Sequence, residues 1–112
     1  MRALTAPELL DAWERGRGAH PLDRALILLG AASPGASHEA LAALSIGERD
    51  ARLFALRGAC FGDRLSARTT CPRCDEAVEV ELSCATAASA HGRSAQDASG
   101  SRRLEIDGCV LE

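Results

Sequence analysis

A chain of 112 residues with a formal charge of −3 has room for one domain, or one domain and a tail, and lacks the basic field that draws proteins onto nucleic acid or anionic membranes. Hydrophobic residues make up 46% of it and aromatics only 3%, so Leu and Ala must do the packing and the core should be light. The longest apolar run, Ala25 to Ala32, is too short for a membrane span.

The N-terminal region has acids at Glu8 and Asp11 where a secretion signal would be apolar. The five cysteines are an odd count, which together with the missing signal predicts reduced thiols in the cytoplasm and no disulfide framework. Arg is the sole basic residue besides His, a bias that fits source composition as well as anion binding.

Thr5-Ala6-Pro7-Glu8 is a capping box, with Leu4 and Leu9 placed as a hydrophobic staple and Pro7 in the first turn where its missing N–H is harmless. It predicts a first helix with Leu9, Leu10 and Trp13 on its apolar face, ended by Gly16 and Gly18. A second helix begins near Pro21, and Leu22, Ala25, Leu26, Leu28 and Leu29 cover more than one of its faces, so it should be central. A Pro-Gly loop follows, and Ser37 caps a short helix from His38 to Leu44. Ser45-Ile46-Gly47-Glu48 is a second capping box. The helix it opens runs to about Cys60, with Leu53, Phe54, Leu56, Cys60 and Phe61 inward, and Gly62 stops it in a left-handed conformation.

From Arg64 to Leu82 the pattern changes to period two, the mark of strands. Leu65, Ala67 and Thr69 alternate with Arg64, Ser66 and Arg68, and after Cys71-Pro72-Arg73-Cys74 the residues Val78, Val80 and Leu82 alternate with Glu79 and Glu81. This predicts a hairpin with one apolar and one acidic face. Ser83 to Ser101 is Ala, Ser and Gly with no bulky apolar residue and reads as a flexible linker, 83–101. Asp107-Gly108 between two short alternating runs predicts a terminal hairpin within 102–112, available to complete the sheet. The expected fold is α+β: three or four helices and a small antiparallel sheet, with residues 1–82 as one helical and hairpin module.

Phosphate-cradling glycine motifs, HExxH and Gly-x-Ser-x-Gly are all missing from the chain. His20, His38 and His91 have no acid or nucleophile beside them in sequence and read as loop or helix-start residues. The Cys71–Cys74 spacing carries three readings. It suits half of a zinc knuckle, because two thiolates two residues apart can grip one ion from a tight turn, and Asp75 tolerates the left-handed geometry usually given to Gly there. A complete site would need further ligands, with Cys109 or His91 as candidates, or a second subunit. A redox pair would need the motif at a helix start, not between strands. The bland reading is a tight turn whose thiols bind nothing.

The helix LFALRGACFG, the CPRC turn and the strand EAVEVEL, preceded by LTAPELLDAWERG and PLDRALILL, resemble the small baseplate or baseplate-assembly proteins of contractile-tailed phages and bacterial contractile injection systems. The likeness covers about residues 4 to 82, with Asp75 where that pattern favours Gly. It implies a non-enzymatic structural or assembly component whose partners are other protein subunits of a contractile particle. Docking would use Leu65, Val78 and Val80, or strand addition to the hairpin edge. The alternative is a small zinc-ribbon-like adaptor or regulatory domain, with zinc as its cofactor. No small-molecule substrate is evident, and a thiol enzyme would need a partner acid or His that the sequence does not supply.

Overall fold

The computed structural model describes residues 2–92, 104–106 and 109–111. Helices α1 (Ala6–Gly16), α2 (Pro21–Ala32), α3 (His38–Ala42) and α4 (Ile46–Phe61) come first. Strands β1 (Arg64–Thr70) and β2 (Ala77–Ser83) follow, then α5 (Cys84–Gly92), β3 (Leu104–Ile106) and β4 (Cys109–Leu111). The class is α+β, with the helices segregated ahead of the first hairpin, as expected.

Local chemistry sets the helix starts. The Thr5 hydroxyl accepts from the Glu8 N–H, and the Glu8 carboxylate accepts from the Thr5 N–H at 2.8 Å, closing the capping box. Ser45 and Glu48 do the same for α4. His20 is the N-cap of α2, its ring Nδ1 accepting from the Leu22 N–H at 3.2 Å. Gly62 stops α4 at φ 91°, a positive value as the sequence predicts.

The core lies among the helices in two clusters that α2 bridges. Leu4, Ala32 and Leu56 form one, with Leu9, Leu28 and Cys60 against it. Leu26, Leu29 and Leu41 form the other, with Leu44 and Leu53 against it. Three side chains expected to be inside are not. Leu10, Trp13 and Phe61 are exposed, Trp13 at 60% and Phe61 at 65%. In α1 the inward positions go to Ala12 and Gly16 instead, small residues that let α2 approach closely.

Over Cys84–Gly92 the linker expected for 83–101 is replaced by α5. The physical reason is local: Ala is the best helix former, and Ser83 caps the helix, its hydroxyl accepting from the Thr86 N–H at 3.2 Å. Tertiary packing completes it. Cys84 is 1% exposed, and a Cβ built on Gly58 of α4 would stand 3.2 Å from the Cys84 Cβ, so the missing side chain at Gly58 is what lets α5 lie against α4. The rest of the expected linker, residues 93–101, lies outside the described residues.

β1 and β2 are antiparallel, with Leu65 opposite Leu82, Ala67 opposite Val80 and Thr69 opposite Val78. β3 and β4 pair antiparallel around the predicted Asp107-Gly108 position, itself outside the described residues. They form a sheet of their own and do not complete the first one. Closing a turn of two residues orders far less chain than joining the distant edge of another sheet.

Candidate functional site

Directly opposed residues of an antiparallel pair share a face. Leu65, Ala67 and Thr69 of β1 therefore lie with Val78, Val80 and Leu82 of β2 on one side of the hairpin. This side is partly open: Val78 is 41% exposed and Val80 40%, Leu82 is exposed beside them, and Leu65 is half-buried. The residues predicted for interaction, Leu65, Val78 and Val80, are thus brought together on one open apolar surface. The opposite face, expected to be acidic, is charge-paired. Arg68, directly opposite Glu79, meets it at 3.5 Å, and Arg64, diagonal to Glu81, meets it at 2.9 Å. The alternation in β2 alone shows the acids; only the register shows their partners.

At the base of the hairpin the chain is firmly tied. The Asp63 carboxylate accepts from the Ser83 hydroxyl and from the Ala85 N–H, which hold it below the ordinary carboxylate range. The Asp63 carbonyl accepts from the Cys84 N–H at 2.8 Å. Arg57 reaches over from α4 to the carbonyl of Gly62 at 3.2 Å. Both strands are therefore anchored where they leave the helices.

The tip is the other end. The Cys71 N–H donates to the Glu76 carbonyl and the Asp75 N–H to the Cys71 carbonyl, each at 2.9 Å, which fixes residues 71–76 as a closed loop. Asp75 has φ 58°, the left-handed value the sequence predicts for it. Inside the loop the Cys71 sulfur accepts from the backbone N–H of Arg73, then from that of Cys74 and from the Cys74 thiol. These donors hold the Cys71 thiol below its ordinary value, because they favour the thiolate. Two thiols two residues apart on a closed turn make an arrangement suited to half of a zinc site. Cys74 is exposed and Cys71 half-buried, so both can be reached from solvent.

The remaining candidate ligands are elsewhere. Cys84 is buried at the start of α5, and Cys60 is half-buried in α4, its sulfur accepting from the Leu4 N–H at 3.3 Å. His91 lies in the last turn of α5 and Cys109 opens β4; their side chains fall outside the described residues. Among the described residues no three His, Cys, Asp or Glu side chains are grouped to hold a metal ion.

A second open surface lies where the sequence predicts buried side chains. Leu10, Trp13 and Leu28 with Phe61 line a groove of about 680 Å³ between α1, α2 and the end of α4, with Arg17 and Arg24 in its wall. The Arg17 guanidinium stacks 5.0 Å from the Trp13 ring centre, and that of Arg57 lies 5.3 Å from the Phe61 ring centre. Set against protein-family profiles, curated proteins and solved structures, the chain matches none of them.

Proposed function

We propose that the chain is a non-enzymatic docking or assembly component that works in the cytoplasm by binding another protein through the apolar face of its first hairpin. The carrying observation is the continuous exposure of Val78, Val80 and Leu82 beside Leu65 on a sheet of only two strands. A two-stranded hairpin is marginal by itself and gains stability when something covers its apolar side. Its outer edges also leave backbone groups free for an added strand. The described residues contain no helix long and apolar enough to cross a membrane. The resemblance in residues 4 to 82 narrows the partner to a structural subunit of a contractile particle.

A purified baseplate, tube or spike subunit encoded beside this chain is the partner to titrate, by calorimetry. Val78→Arg/Val80→Arg should weaken binding at least tenfold, about 1.4 kcal/mol, while Arg68→Ala on the opposite face leaves it within twofold. Binding that ignores the valine changes, or no binding to any such subunit, would remove the proposal. The second reading, a zinc-ribbon-like adaptor, is favoured by one observation, the closed 71–76 loop that carries two solvent-accessible cysteines.

A further inference from the structure

We propose that Cys71 and Cys74 form half of a zinc site that is completed by the same two cysteines of a second copy, so that the ion clips two hairpin tips together. The proposal goes beyond the docking reading and does not depend on it. It gives the second reading a definite composition, one ion held by four thiolates from two chains.

Three observations carry it. The first is the preformed half-site: the 71–76 loop is closed by two backbone hydrogen bonds, Asp75 takes the left-handed turn, and both cysteines can be reached from solvent. A closed turn with two cysteines two residues apart has the spacing that lets two thiolates share one ion.

The second is distance within the chain. A structural zinc ion takes four ligands. Each strand of the hairpin has seven residues, so the tip stands roughly 20 Å from the base. Cys60 and Cys84 are both at the base, engaged with Leu4 and packed against Gly58. His91 belongs to a helix that lies along α4, and Cys109 to a strand paired with β3 in a separate sheet. Among the described residues no third ligand is grouped with Cys71 and Cys74, whereas a second copy supplies two at once under twofold symmetry.

The third is exposure and charge. Pro72, Arg73, Cys74, Asp75 and Glu76 are all exposed, so nothing in the chain blocks the approach of a second tip. Each tip carries one Arg and two acids, Arg73, Asp75 and Glu76, so two tips have like net charge and would be joined by Zn–S bonds and not by attraction of their own. Association should therefore depend on the metal. As the ion binds, each thiol still protonated releases its proton to solvent and no electrons are transferred.

The test uses the full chain purified without added metal and kept reduced with a phosphine. Zinc is titrated in while molar mass is followed by light scattering and bound metal is measured by elemental analysis. The expected result is one zinc per two chains, a doubling of mass that chelator reverses, and a tetrathiolate spectrum when cobalt replaces zinc. Cys71→Ser/Cys74→Ser should stay monomeric and zinc-free with an unchanged circular dichroism spectrum, since the loop's two hydrogen bonds are made by backbone. That variant keeps Val78 and Val80, so partner binding by the apolar face can be scored separately. One zinc per monomer, no zinc at all, or a dimer that survives chelator and the double serine change would overturn the proposal.

Discussion

Glu8 carries more of the first helix than its exposed position suggests. Its carboxylate accepts from both guanidinium nitrogens of Arg2, at 2.6 and 2.9 Å, and from the Thr5 N–H at 2.8 Å. These contacts, led by Arg2, lower its pKa from the ordinary 4.5 to about 2. A carboxylate whose folded pKa is depressed stabilises the fold fully above its unfolded value and stops doing so as pH falls through the folded one. Glu8→Gln should therefore flatten the loss of stability between pH 4.5 and about 2, read as urea midpoints at successive pH values. Glu48 and Asp63 are lowered too, by hydrogen bonds from Ser45 and from Ser83, so part of the acid limb will remain in that variant. Both capping boxes were legible in the sequence because every atom they use lies within four consecutive residues.

At the scale of elements, the contact between α4 and α5 turns on one missing side chain. Gly58→Ala would gain about 1 kcal/mol of helix propensity but place a methyl 3.2 Å from the Cys84 Cβ. That Cβ is fixed to the backbone of a helix start and cannot swing away, so overpacking of about 1–3 kcal/mol should win. The expected outcome is a net loss of about 1 kcal/mol in chemical denaturation. The sequence held a signal for this contact that composition masked: a glycine inside a strong helical pattern needs a packing reason. Ser83 ahead of an Ala run was likewise a helix start, read as linker because no bulky apolar residue followed. Trp13 and Phe61 failed differently. Periodicity tells which residues share a helix face, and only the arrangement of neighbours decides which face is covered.

Across the whole molecule, burial is concentrated in the helices, and the hairpin contributes little to it. Leu29 of α2 is fully buried against α3, and among the described residues no other large side chain except Cys84 is buried so completely. Leu29→Ala should cost about 3 kcal/mol, a large share of the 5–15 kcal/mol typical of a domain, measurable as a lowered urea midpoint. The position of the hairpin relative to that core was legible in part: the change from helical to period-two pattern at Arg64 marks where the helices stop, and Asp75 marks its turn. The anchoring of its base was not, because Asp63 and Ala85 are far apart in sequence and meet only once β1 and β2 are in register.

That anchoring has a mechanical side. β2 ends at Ser83 and α5 begins at Cys84, with no residue between them to act as a hinge. On the other strand Asp63 and Arg57 clamp the step from α4 into β1. The hairpin is thus joined to the helices without a hinge, the Gly58–Cys84 contact lying at its root, and a pull on Cys71 or Cys74 bears on α4 and α5 together. Whatever grips the far end of that handle steers the helical body with it.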